Sequence, residues 1–217
     1  NTNEASTGRI LETALCVAAS ATVLEGATAP FGVASIETPE DAHIASTAVQ
    51  ALLSERSNVA GSIDAVIIAA FSDPGLVAAR NLLGSDIAVI GIAEAAILEA
   101  SALGRFAIVT LGAAHVSSIE IAAARYGAKH NLIEVIALPW SVAEVSHDPV
   151  AFVGAFMDAC CNVVDRHGAR AVIVGGGPLT TIARAIAEDV HFAVIDGVAA
   201  AVRRAERLVT EAICSRQ

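Results

Sequence analysis

The side chains able to do chemistry in this chain gather at turns that follow short apolar runs. Ser72 and Asp73 follow Ala65-Val66-Ile67-Ile68, and His115 follows Phe106-Ala107-Ile108-Val109-Thr110. Gly175-Gly176-Gly177-Pro178 follow Ala171-Val172-Ile173-Val174, and Asn3 opens a helical stretch. Histidine titrates near neutral pH, so His115 is a candidate acid or base. A glycine-rich turn ahead of a helix exposes backbone N–H groups that suit a carboxylate or similar anion. Asp73 precedes Pro74 and has two readings: a helix cap, or a carboxylate that orients a binding loop or carries a proton. The glycine run is no dinucleotide fingerprint, since Thr180 holds the last position, and it lacks the lysine of a phosphate loop. No cofactor is expected.

Cys16, Cys160, Cys161 and Cys214 show no Cys-x-x-Cys spacing and fall inside helical stretches, where free cysteine behaves as a small hydrophobe. His43, His130, His147, His167 and His191 do not pair with one another or with His115 on a helix face, so no metal site is expected. No Gly-x-Ser-x-Gly elbow is present, which argues against an α/β-hydrolase.

These turns need a parallel α/β scaffold. Apolar runs at 22–25, 63–70, 87–91, 105–111, 132–138, 170–175 and 191–195 read as strands. Alanine-rich stretches near 4–20, 39–56, 75–83, 93–101, 115–127, 148–167, 178–188 and 197–213 read as helices. Pro39, Pro74, Pro149 and Pro178 sit at helix starts, and Gly84, Gly104, Gly127 and Gly168 follow helix ends. Ala-Val-Ile-Ile at 65–68 recurs as Ala-Val-Ile-Val at 171–174, and Ala88-Val89-Ile90-Gly91 recurs as Ala193-Val194-Ile195-Asp196. Such a repeat implies two α/β halves related by a pseudo-twofold, each a parallel sheet flanked by helices, with a ligand cleft between them. Residues 1–100 with 197–217 make one lobe, and 101–196 the other. The first lobe opens on a turn and helix start, so its first strand is expected upstream of Asn1. The tips of the repeated strands carry Ala70 and Gly176, and neither has a functional group.

Composition narrows the partners. The net charge is −10, so nucleic acid is a poor partner. Mean hydropathy is +0.63, yet Glu94, Glu99 and Asp196 interrupt the richest segments, so no membrane span is expected. Hydrophobic residues reach 55% with only 4% aromatics, which points to close helix-on-sheet packing and leaves apolar surface for a homo-oligomer. Unpaired thiols and the lack of a secretory signal point to a cytoplasmic protein.

Six stretches carry a resemblance. They are Asn1-Thr2-Asn3, Phe31-Gly32-Val33-Ala34-Ser35-Ile36-Glu37, Phe71-Ser72-Asp73-Pro74-Gly75-Leu76, residues 89–96, Phe106-Ala107-Ile108-Val109-Thr110 and residues 194–200. In this order they resemble the aspartate/glutamate/hydantoin racemase superfamily, and most closely its hydantoin and allantoin racemase branch. The resemblance implies a two-lobed fold and inversion of a stereocentre beside a carbonyl by two opposed cysteines, one thiolate removing a proton and one thiol supplying it. Ala70 and Gly176 occupy those two positions here, and neither transfers protons.

The resemblance therefore implies the cleft without its two-thiol chemistry. A small carboxylate or hydantoin-like amino-acid derivative is the expected ligand, with Asn3, Ser35, Phe71, Ser72, Asp73, Thr110, Gly177 and Pro178 around it. Phe31, Ile36, Phe71 and the loop around Trp140 would set side-chain specificity. The alternatives are a cofactor-free decarboxylase or isomerase using His115 or Asp73, and a non-catalytic binding homologue.

Overall fold

Short apolar runs between polar turns pair as buried parallel strands, because each is too brief to make a helix yet apolar on both faces. The computed structural model describes residues 2–57 and 63–215. It begins with α1 (Glu4–Val17), α2 (Pro39–Ser57), β1 (Ala65–Ile68), α3 (Leu76–Leu83), β2 (Ala88–Gly91) and α4 (Ile92–Leu103). It continues through β3 (Phe106–Leu111), α5 (Val116–Arg125), β4 (Leu132–Leu138), α6 (Val142–His147) and α7 (Val153–His167). The last elements are β5 (Ala171–Gly175), α8 (Thr180–Asp189), β6 (Ala193–Asp196) and α9 (Gly197–Ser215).

All strand pairs are parallel. β1 pairs with β2, and the second sheet runs β4-β3-β5-β6. The repeat appears in the register: Ala65 faces Ala88 and Ile68 faces Gly91, while Ala171 faces Ala193 and Val174 faces Asp196. This is the expected α/β architecture of two parallel sheets flanked by helices.

Alternation along β3 and β5 splits the core of the larger sheet. Phe106, Ile108 and Ile173 face Ile97, Val198 and Val202, from α4 and α9. Ala107, Val109, Val172 and Val174 face Phe156 and Cys160 of α7 and Ile182 of α8. A smaller cluster of Leu53, Ile68, Leu76 and Val89 lies between β1–β2 and helices α2 and α3. The helices that end the two repeats cross over. α4 follows β2 yet packs on β5, whereas α9 follows β6 and packs on β1 and β2. They touch closely at their starts, since a methyl group added at Gly197 would lie 2.9 Å from the Ile92 carbonyl oxygen.

Both helices begin on an aspartate. Asp196 accepts from the Val198 and Ala199 N–H groups at 2.7 and 3.2 Å, capping α9 from its own strand end. The matching position before α4 is Gly91, and Asp73 from the loop after β1 replaces the missing carboxylate. It accepts from the Ala93 and Glu94 N–H groups at 3.0 and 2.8 Å. Only glycine fits at 91, because a Cβ there would overlap the Asp73 carboxyl group.

Two expectations about elements need correction. Residues 22–25 form no strand. Instead Glu206 of α9 holds the turn that leads into them, accepting from the Ala19 N–H at 2.8 Å and the Thr22 hydroxyl at 2.6 Å, while Val23 is 94% exposed. No described strand pairs with them, so their apolar side chains gain no sheet face to bury. Conversely, α6 forms where no helix was expected. Ser141 and Glu144 build a capping box, the Ser141 hydroxyl accepting from the Glu144 N–H and the Glu144 carboxylate accepting from the Ser141 N–H.

Candidate functional site

The tips of β1 and β5 converge on one cleft of about 360 Å³, a volume suited to a small molecule. The approach is close enough that a Cβ at Gly177 would sit 2.9 Å from the Ala69 carbonyl oxygen. Ala70 and Gly176 both line the cleft. Thr110 at the end of β3 donates its hydroxyl to the Gly175 carbonyl at 2.7 Å, tying neighbouring strand tips together. Phe71 lays its ring over Gly175, where a Cβ would come within 2.6 Å of a ring carbon.

Asn3, Ser35, Ser72, Gly177, Pro178 and His115 also reach the cleft. Asn3 caps α1, its Oδ1 accepting from the Ser6 N–H at 3.1 Å. Asn1 lies outside the described residues. His115 closes a short 3-10 turn after β3 and leads into α5, its carbonyl accepting from the Ser118 hydroxyl at 2.8 Å. Ile36 lines the wall, whereas Phe31 and Trp140 do not. Trp140 instead packs edge-on against Phe152, with ring centroids 5.0 Å apart.

Asp73 does not line the cleft. Its carboxylate is buried against α4, where it also accepts from the Tyr126 hydroxyl at 2.8 Å. Burial raises its pKa to about 6 despite these three donors. It anchors the loop bearing Phe71 and Ser72 from behind, and that anchoring holds Asp73 at a φ of 47°. It is thus placed neither to touch a ligand in the cleft nor to pass it a proton.

Several lining residues were missed by the sequence reading. Ser6 and Arg9 follow Asn3 at steps of three, which puts all three along one face of α1. That spacing was a legible signal. α6 supplies Val142, Ala143, Ser146 and His147, and its capping box was the corresponding clue. Arg9 donates from Nη2 to the Ser6 hydroxyl at 3.3 Å, while its Nε is buried without a hydrogen-bond partner. The hydroxyls of Ser35 and Ser146 are buried and unpartnered as well.

None of the four cysteines lines the cleft. Cys160 is buried under the larger sheet, and burial pushes its thiol up to about 12. Cys16 and Cys214 are exposed on α1 and α9. Among the described residues, no three His, Cys, Asp or Glu side chains cluster to hold a metal ion, and no helix is long and apolar enough to cross a membrane.

A hydantoin racemase from Pseudomonas sp. (strain NS671) is 30% identical over 211 residues, covering 96% of this chain and 83% of that protein. A hydantoin racemase from Rhizobium meliloti is 31% identical over 211 residues, covering 96% and 86%. Among solved structures, allantoin racemase from Klebsiella pneumoniae matches with a TM-score of 0.89 at 31% identity, covering 98% of this chain and 85% of that one. The family model described as Asp/Glu/Hydantoin racemase matches residues 1–205, a span that includes both strand tips and every residue lining the cleft. The chain belongs to the Asp/Glu/hydantoin racemase family.

Proposed function

We propose that this protein binds a small carboxylate or hydantoin-like amino-acid derivative between the tips of β1 and β5, and that it does so without two-thiol proton transfer. One observation carries the reading: the two repeated tips meet in a single cleft and present Ala70 and Gly176 to it. The hydantoin and allantoin racemases among its relatives support the ligand class. The backbone turns at Phe71-Ser72 and Gly176-Gly177 suit an anionic or imide edge.

A second reading rests on two imidazoles, since His115 and His147 both line the cleft. Either could carry a proton in a cofactor-free isomerase or decarboxylase. One experiment separates the readings. The protein is incubated in D₂O with hydantoins, allantoin, aspartate and arylmalonates, and scored for melting temperature, α-carbon deuteration and release of CO₂. The first reading expects a ligand-dependent rise in melting temperature with no turnover. Exchange that disappears in His115→Ala would transfer the assignment to the second. No stabilisation by any compound, together with no turnover, would overturn both.

Self-association belongs to the same proposal. Leu15 and Val17 of α1 and Ile213 of α9 are exposed, each more than a third accessible. Sedimentation velocity is expected to give a dimer or larger species, and a monomer at micromolar concentration would refute it.

A further inference from the structure

The cleft is positively charged in an acidic protein. None of its lining residues is Asp or Glu, and its ionisable side chains are Arg9, His115 and His147. Two acids around it already have hydrogen-bond partners, and one of them, Asp41, interacts electrostatically with His115. Asp73 is buried against α4, and Asp41 accepts from the Glu37 and Thr38 N–H groups at 3.1 and 2.9 Å. Among the described residues Arg9 has no carboxylate partner: one Nη2 contact goes to Ser6, and Nε is buried without a hydrogen-bond partner. A partly buried guanidinium at the cleft with no carboxylate beside it favours a ligand that supplies one. Ser35 and Ser146 add two buried hydroxyls, also unpartnered, on the same cleft.

We infer that Arg9 selects the ionised, ring-opened form of the ligand, an N-carbamoyl amino acid, over the cyclic hydantoin. This rests on the proposed reading of the cleft as the ligand site. The two forms differ by one molecule of water. Opening the ring converts a neutral imide edge into a full carboxylate, which a guanidinium meets with paired charge-assisted hydrogen bonds. The ureido group left on the nitrogen keeps donors and an acceptor that suit the two serine hydroxyls. A neutral hydantoin would leave the Arg9 charge desolvated without compensation.

The test uses N-carbamoylvaline and isopropylhydantoin, which share a side chain, titrated calorimetrically into wild type, Arg9→Gln and Arg9→Lys at neutral pH. N-carbamoylvaline should bind at least about tenfold more tightly than the hydantoin, and Arg9→Gln should weaken it by about that factor while leaving the hydantoin unchanged. Arg9→Lys should recover part of the loss. In wild type, raising the salt concentration should weaken the carboxylate and not the hydantoin, a readout that stands even if Arg9→Gln does not fold. Equal or tighter hydantoin binding, insensitive to Arg9 and to salt, would overturn this inference and leave the cleft as a ligand site. If neither compound nor any racemase-type ligand binds, the cleft reading falls and this inference falls with it.

Discussion

Gly176 and Gly177 are neighbours, yet they are glycine for different reasons. A methyl group at 177 would press on the Ala69 carbonyl, which is backbone and cannot move without shifting β1. A methyl at 176 comes nearest to the side chain of Leu179, at 3.0 Å, and needs that side chain, not a backbone atom, to give by a few tenths of an ångström. Gly177→Ala is therefore expected to cost about 1–3 kcal/mol. Gly176→Ala should change stability by less than about 1 kcal/mol, since the backbone there is extended. Thermal melts of the two variants check this, and equal losses would show that the two tips do not meet as described. The same tolerance makes the double variant Ala70→Cys with Gly176→Cys a fair test of the proposed absence of two-thiol chemistry. If the cleft keeps its racemase geometry, the pair should gain α-proton exchange on a hydantoin. Asp73 offers a titration. Because burial raises its pKa to about 6, the folded protein holds that proton where the unfolded chain releases it. Its contribution is present below the ordinary carboxyl pKa and is lost as pH rises through about 6. The stability advantage of wild type over Asp73→Asn should therefore shrink between about pH 4 and pH 7. An advantage that grows with pH would mean that the three donors outweigh burial.

Among the elements, α4 and α9 show how the repeat was kept while its chemistry changed hands. α9 is capped by the aspartate at the end of its own strand, but α4 borrows one from the loop after β1. That loan fixes the loop carrying Phe71 and Ser72, so the start of α4 positions the wall of the cleft. Arg80 of α3 strengthens the same junction by donating to the Glu94 carboxylate at 2.6 Å and to the Val89 carbonyl. Glu94 is buried, so Arg80→Met would leave it without its cation. The loss should be about 1–3 kcal/mol, kept modest because Arg80 is 41% exposed. A melt within about 0.5 kcal/mol of wild type would remove the pair from the account. On the far side, α6 starts on the Ser141–Glu144 capping box and buries Val145 in the core. Ser141→Ala should cost about 1 kcal/mol, and should weaken ligand-induced stabilisation more than a surface change elsewhere.

The molecule as a whole is stitched by exchange, with α4 lying on the larger sheet and α9 on the smaller one. Neither sheet can lose its covering helix without disturbing the other. Unfolding is thus expected to be a single transition, with Trp140 fluorescence, which reports near β4, coinciding with far-ultraviolet circular dichroism. Two separated midpoints would show that the halves unfold independently. Most of this architecture was legible in the chain, because strand runs, proline starts and glycine ends are local signals read residue by residue. The stretch at 22–25 misled because an apolar run says nothing about whether a partner strand lies beside it. Trp140 misled similarly: its loop does approach the cleft, but through α6, while the ring turns to Phe152.

The sequence by itself determined the parallel α/β class, the repeat, and the placing of Ala70 and Gly176 just beyond the repeated strands. Those properties depend on residue identity and period, which the chain carries locally. Tertiary structure decided which polar groups face the cleft. Asp73 left it because a helix start distant in sequence supplied better donors, and Arg9 entered it because α1 packs alongside the tip of β5. Hydrogen bonds and charges are settled by neighbours in space, and only the folded chain brings those neighbours together.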